Sequence, residues 1–171
     1  LNEENLRLSI VIPAFEESEN IVPVLRRIDE ALDFEFECLV VVDSSADSTI
    51  PFVQSFHSNK GKYLVKVNEF RKGPAHAIRY GIRHARSKTL VVTMADGSDD
   101  PQCIPALVRL IERGISVACA SRYMPGGQQI GAPFLKSKLS RLAGSSLRIL
   151  TRVGTSDATN SFKAYSKDFI E

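Results

Sequence analysis

The sequence predicts an α/β domain built on a mainly parallel sheet with helices on both faces. Short apolar, β-branched segments alternate with segments whose apolar residues recur at helical spacing. The strand-like segments read as unbroken hydrophobic runs, the pattern of strands covered on both faces. Acidic, Gly and Pro residues collect directly after them, where ligands bind in such sheets because helix N-termini and loop amides converge there.

In chain order, residues 8–12 form a β-branched strand ended by Pro13, and Ser18 opens a helix with Ile21, Val24, Leu25, Ile28 and Leu32 on one face. Residues 38–42 are the second strand. A stretch of capping residues, 43–49, then leads into a helix with Pro51 in its first turn. A third strand over 63–67 passes through Arg71-Lys72-Gly73-Pro74 to a helix with Ala75, Ile78, Ile82 and Ala85 on one face. The fourth strand, 90–93, leads through 95–101 to Ile104, Leu107, Val108 and Ile111, a helix stopped at Gly114. A fifth strand over 115–120, a Pro/Gly loop over 124–133 and a helix from about 134 to 153 complete the pattern.

At 171 residues the chain suits a single domain spanning 1–171, long enough to bury roughly 70% of its unfolded surface. Hydrophobic residues at 43% and charged residues at 25% exclude disordered and fibrous classes. Lys and Arg number 22 against 20 Asp and Glu, a net charge of +2, which argues against a bulk nucleic-acid binder; no nucleic-acid partner is expected. Cys38, Cys103 and Cys119 lack C-x-x-C spacing and read as reduced small hydrophobes, which points to a cytoplasmic setting. No apolar run approaches the about 18 residues that span a bilayer. Because the chain starts at Leu1 and stops at Glu171 inside a regular pattern, a C-terminally truncated piece of a longer protein is expected.

The loops after the strands carry the unusual chemistry. Asp43 and Asp96 each follow a different strand, with Asp47, Asp99 and Asp100 nearby, a set suited to a hard divalent cation and the polar edges of a nucleotide. Asp47 and Asp100 precede helices and read as N-caps, and Asp99 as a residue that solvates its loop. Asp96, directly beyond a buried strand and before Gly97, is the acid that reads as functional. There is no G-x-x-x-x-G-K-[ST], no G-x-G-x-x-G after the first strand and no G-x-S-x-G elbow. His57, His76 and His84 lack metal-ligand spacing and read as surface or packing residues.

Taken together and in order, these loops resemble family 2 glycosyltransferases of the GT-A fold, a Rossmann-like architecture. Within that family they are similar to the polyprenyl-phosphate sugar synthases of the dolichyl-phosphate mannose synthase type. Ile10-Val11-Ile12-Pro13-Ala14-Phe15-Glu16-Glu17 resembles the opening V-I-P-x-Y-N-E, and Val41-Val42-Asp43 through Asp47-Ser48-Thr49 resembles V-D-D-x-S-x-D-x-T. Residues 73–81 resemble the G-x-x-x-A-x-x-x-G helix start, 94–101 the D-A-D-x-x-x-x-P metal loop, Ala120-Ser121-Arg122-Tyr123 the G-S-R-Y motif, and residues 157–163 the D-x-T-S-G-F-R motif. Six motifs in register make the resemblance specific. Three departures stand out: the second motif is one residue short, so that Asp43 stands for one member of an acidic pair; Met94 replaces the first acid of D-x-D; and Asn160-Ser161 replaces S-G.

The resemblance implies an inverting transfer from a nucleotide-sugar donor, GDP- or UDP-linked, to a polyprenyl phosphate. It assigns donor binding to Pro13, Ala14, Phe15, Glu17, Asp43, Arg71, Gly73, Ala95 and Asp96, and a Mg²⁺ or Mn²⁺ ion to Asp96 and Ser98, weakened by the thioether of Met94. Arg122, Lys136 and Ser140 are assigned to the acceptor phosphate, with Asp96, Arg122 and Asp157 as the catalytic candidates. A phosphate monoester, with a second pKa of about 6, is already dianionic and needs cations rather than a base. A sugar hydroxyl needs a carboxylate, for which Asp157 is the candidate. A lipid acceptor implies work at the cytoplasmic face of a membrane. The same donor chemistry with a saccharide or other hydroxyl acceptor, and a catalytically silent nucleotide-binding domain, remain as alternatives.

Overall fold

A computed structural model describes residues 6–121, 157 and 160–170. By compactness the chain divides into one unit of residues 1–118 and 162–171 and a second of residues 119–161. The first unit carries β1 (Leu8–Ala14), α1 (Ile21–Ala31), β2 (Phe36–Val42), α2 (Ile50–Ser55), β3 (Gly61–Val67), α3 (Pro74–His84) and β4 (Thr89–Val92). A 3₁₀ turn (Pro101–Cys103) leads into α4 (Ile104–Glu112); β5 (Val117–Cys119) and β6 (Lys163–Ser166) follow. The expected helix near 134–153 lies outside the described residues.

Strand order is β3-β2-β1-β4-β6-β5. β1 pairs in parallel with β2, from Leu8↔Phe36 to Ala14↔Val42, and with β4, from Ser9↔Leu90 to Val11↔Val92. β2 pairs in parallel with β3, and β6 is antiparallel to β4. Every residue of β1, β2 and β4 is buried, as the unbroken apolar runs require. β6 is a strand the periodicity did not signal, and it separates β4 from β5.

Chain direction explains the layers. The connections β1-α1-β2 and β2-α2-β3 step one way along the sheet and β3-α3-β4 steps back, so right-handed crossovers put α3 on the face opposite α1 and α2. Val11, Leu39, Val41, Leu90 and Val92 pack with Ala77, Tyr80 and Ala85 under α3. Alternation leaves Ile10, Ile12, Cys38 and Val40, all fully buried, for the other face. Each such side chain contributes about 1.5–3 kcal/mol on burial. Helix α1 buries Ile21, Val24, Leu25 and Ile28, and α4 buries Ile104, Leu107, Val108 and Ile111, the faces that the spacing predicted.

Four expectations are corrected. β1 continues through Pro13 to Ala14. Val11 O accepts the Thr93 N–H, so the missing donor of Pro13, two residues on, falls on the same side of β1, where pairing with β4 has already ended. Ala75 is exposed, and the buried positions of α3 are Ala77, Tyr80 and Gly81. A Cβ at Gly81 would overlap Val11 Cγ1, so the helix approaches the sheet there by lacking a side chain. Ser18 does not cap α1: Asn20 holds the N-cap position, without a side-chain capping bond. Cys103 is exposed rather than packed, whereas Cys38 is buried as expected.

Gly114 ends α4 in the left-handed region at φ 92°. Its N–H donates to Ile111 O and that of Ile115 to Leu110 O, the paired bonds of a Schellman motif.

Candidate functional site

Pro13, near the end of β1, and Asp43 and Asp96, after β2 and β4, lie at one edge of the sheet, and the loops that follow these three neighbouring strands are tied to one another by hydrogen bonds. After β1, Phe15 is 71% exposed and Glu16 adopts φ 54°, a conformation that non-glycine residues seldom take. Two buried side chains of the next loop hold this turn. Glu16 N–H donates to Asp47 Oδ2 at 3.2 Å, and Glu17 N–H to Thr49 Oγ1 at 2.9 Å. Asp47 also accepts from Thr49 N–H at 2.9 Å. Asp47 is therefore a tie between loops rather than the N-cap of α2, a position held by Thr49.

Asp43 joins the second loop to the third. Its Oδ1 accepts from Asn68 Nδ2 and its Oδ2 from Gly73 N–H, both at 2.7 Å. Asn68, buried directly after β3, also donates to Arg71 O and accepts from Phe70 N–H. Gly73 sits at φ 115° and ψ 157°, backbone that glycine adopts freely, and opens α3 with its carbonyl accepting from His76 and Ala77. The start of α3 thus lies beside Asp43, with the exposed Arg71 and Lys72 at the same end.

The fourth loop folds over α1. Thr93 N–H donates to Val11 O, and Asp99 Oδ2 accepts from Thr93 Oγ1 at 2.8 Å and from Met94 N–H at 3.1 Å. Arg27 of α1 donates to Gly97 O at 2.9 Å and Asp99 O at 3.1 Å. Asp99, read from sequence as a solvating residue, is instead the internal fastener of the loop. Asp100 caps the 3₁₀ turn through Gln102 N–H, as its position before a helix predicted. Met94 lines a small cavity with Val24, Arg27, Ile28 and Pro101, on the α1 side of the loop.

Asp96 differs from these acids. It is exposed, and Oδ1 accepts from Ser98 N–H at 3.0 Å, while Oδ2 has no partner among the described residues. Asp43, Asp47 and Asp99 are occupied with loop backbone or Asn68. Among the described residues no group of three His, Cys, Asp or Glu side chains forms a metal site. The donor set fits a Mg²⁺- or Mn²⁺-type ion that takes one carboxylate from the protein and other oxygens from a diphosphate, the usual manner in which Mg²⁺ is held beside phosphates.

Asp157 belongs to the second unit and is 1% exposed; its carbonyl accepts from Asn160 N–H, and Asn160 Nδ2 donates to Ala120 O at 2.8 Å. Arg122, Lys136 and Ser140 lie outside the described residues. His57 is exposed, and His84 stacks on Tyr80 with its ring centroid 4.1 Å away, in keeping with surface and packing roles. Sequence reasoning missed Asn68, Thr93 and Arg27. Asn68 and Thr93 carried a signal, as polar residues next to buried strands; Arg27, on the exposed side of an amphipathic helix, carried none.

The profile of glycosyl transferase family 2 matches residues 9–171. The dolichol-phosphate mannosyltransferase of Pyrococcus furiosus is 34% identical over 97% of this chain and 48% of its own length. The polyprenol monophosphomannose synthase of Mycolicibacterium smegmatis is 29% identical over 96% of this chain and 63% of its own length. The chain thus spans about half to just under two thirds of these relatives. Among solved structures, glucosyl-3-phosphoglycerate synthase from Mycobacterium tuberculosis, in complex with Mn²⁺, UDP and glucosyl-3-phosphoglycerate, superposes with a TM-score of 0.69 at 19% identity, covering 96% of this chain and 57% of that one. S. aureus TarS gives 0.63 at 21% identity, over 94% of this chain and 47% of that one. The fold is that of GT-A glycosyltransferases, and the chain belongs to glycosyl transferase family 2.

Proposed function

We propose that this chain is the catalytic portion of an inverting glycosyltransferase that moves a sugar from a nucleotide-sugar donor to a polyprenyl phosphate at the cytoplasmic face of a membrane. The observation that carries the reading is Asp96, an exposed carboxylate with an uncommitted oxygen, at the end of a buried strand and on a loop fastened from both sides. The names of the two curated relatives, which specify dolichol phosphate and a polyprenol, support the acceptor class.

Each loop then has a task. Pro13, Ala14, Phe15 and Glu17 receive the nucleoside, with the exposed ring of Phe15 offering a face for stacking. Asp43 holds Gly73 so that the start of α3 and the Arg71 guanidinium face the diphosphate. Ala95 lets the donor approach the β4 loop, and Asp96 with the Ser98 hydroxyl would hold the divalent ion. That ion, when bound, neutralises the charge that grows on the departing diphosphate.

Arg122, Lys136 and Ser140 are assigned to the acceptor phosphate. An oxygen of that dianion attacks the anomeric carbon, the bond to the diphosphate breaks and the centre inverts. No proton has to be removed from the acceptor, so no general base is required.

The test measures stabilisation of the chain by UDP- and GDP-sugars with and without Mn²⁺, then transfer from the donor that binds to a short-chain polyprenyl phosphate. Transfer that disappears in Asp96→Ala is the expected result. Absence of binding to every nucleoside diphosphate and nucleotide sugar overturns the reading. Turnover on a saccharide that Asp157→Asn abolishes, with donor binding intact, replaces the lipid phosphate with a hydroxyl acceptor.

A further inference from the structure

From Phe70 to Ala95 the sequence contains no acidic residue, yet it carries Arg71, Lys72, Arg79, Arg83, Arg86, Lys88 and two histidines. Against a net charge of +2 for the whole chain this is a strong local concentration. The structure places much of it on one surface. At about 100° per residue, Arg79 and Arg83 lie on the side of α3 opposite the buried Ala77 and Gly81, and both are exposed. Lys72 and Arg86, also exposed, flank the helix just beyond its two ends. At 1.5 Å per residue the 11-residue helix is about 16 Å long, twice the Debye length of about 8 Å at physiological salt.

Lys72, Arg79 and Arg83 have no ion-pair partner among the described residues. Of the neighbouring acids, the buried Glu37 engages Arg86 at 2.9 Å, and Glu69 faces the Tyr80 hydroxyl. Structural need does not account for the remaining charges, because α3 is held to the sheet by its opposite face.

We infer that the exposed face of α3 docks the enzyme on an anionic lipid surface, with Lys72, Arg79 and Arg83 against the headgroups. The inference rests on the lipid-phosphate reading above, in which the acceptor is confined to a membrane. Unpaired cations on the outer face of α3 and just before its start match an anionic surface, and Lys72 and Arg71 also stand at the rim of the donor site. Adhesion along α3 therefore brings that rim to the membrane. Phe70, 42% exposed beside this end, adds an apolar group at the level of the headgroups.

The experiment compares sedimentation of the chain with phosphatidylcholine vesicles and with vesicles that also contain phosphatidylserine. Binding should require the anionic lipid and weaken as salt is raised. Each cation beside an anionic leaflet is worth about fivefold in partitioning, so Arg79→Gln with Arg83→Gln should reduce binding roughly twenty-five-fold. The double variant should melt at the parent temperature and should keep full transfer to a water-soluble short-chain acceptor in detergent. Equal binding to neutral vesicles, or unchanged binding of the double variant, overturns the inference. Retention on single-stranded RNA with no vesicle binding also overturns it, in favour of a nucleic-acid surface. Failure of transfer in detergent by the parent chain is a failure of the enzymatic reading instead, and is seen independently of the vesicles.

Discussion

Asp43 Oδ2 accepts a 2.7 Å hydrogen bond from the backbone N–H of Gly73, thirty residues further along the chain. The bond fastens the end of β2 to the beginning of α3, and with Asn68 on Oδ1 it sets the path of the Arg71 loop. Asp43→Asn can satisfy only one of these two donors, because its amide nitrogen opposes the other. A loss of about 1–3 kcal/mol in urea denaturation is expected, together with weaker nucleotide binding in a titration. Gly73→Ala has room for its methyl group but strains the backbone, and should cost about 1–3 kcal/mol. An Asp43→Asn variant with parent stability and parent nucleotide affinity would remove the tie from the mechanism.

Arg27 is a positioning residue for the Asp96 loop. Its two nitrogens reach Gly97 O and Asp99 O, and a lysine can replace only one of these contacts. Arg27→Gln should leave stability within about 1 kcal/mol, since the side chain is exposed. The concentration of Mn²⁺ needed for half-maximal donor binding should rise about fivefold, which a loss of about 1 kcal/mol in loop ordering produces. Arg27→Lys should recover part of that shift. Parent-like Mn²⁺ dependence in Arg27→Gln would contradict the role.

At the opposite end of the sheet, Glu37 is fully buried within β2. It accepts from Ser9 Oγ at 2.6 Å, Arg86 N–H at 2.8 Å and Arg86 Nε at 2.9 Å. Ser87 N–H in turn donates to Ser9 Oγ at 2.9 Å. Removing the carboxylate leaves the buried Ser9 hydroxyl and the Arg86 backbone N–H without their acceptor, so Glu37→Ala should cost about 1–3 kcal/mol. Chemical denaturation measures this directly. Because the cluster is remote from the rim, the folded fraction should bind nucleotide as the parent does.

The thiols supply a pH-dependent readout. Partial desolvation holds the thiol of the surface residue Cys103 above its ordinary pKa, reinforced by the charges of Asp100 and Asp99. A raised pKa means less thiolate at a given pH, so at pH 8 iodoacetamide should modify Cys103 more slowly than free cysteine, and the rate should climb as pH increases. Asp100→Asn should accelerate it. Cys38, buried and with its pKa raised by desolvation, should react only on unfolding. Equal rates for Cys103 and free cysteine at pH 8 would count against this environment.

Much of the fold was legible because the signals are local. The faces of α1 and α4 follow from apolar residues three and four apart, and the buried strands β1, β2 and β4 from unbroken β-branched runs. The α3 face was misplaced by two residues at its start, because Ala75 and Ala77 are chemically identical and only Gly81 against Val11 sets the rotation of the helix. β6 went unread because Lys163-Ala164-Tyr165-Ser166 is too short and mixed to declare itself; pairing with β4 makes it a strand.

Sequence by itself determined which residues lie at the carboxyl ends of the strands, since strand length and loop composition are encoded within a few neighbouring positions. Tertiary structure alone decided what each acid at that edge does. Asp43, Asp47 and Asp99 bind loop backbone, and Asp96 keeps an oxygen uncommitted. The decisive partners of Asp43 and Asp47 lie 25 to 31 residues away, and Arg27 reaches the Asp96 loop across 70 or more. A hydrogen bond depends on separation in space, which no local pattern records.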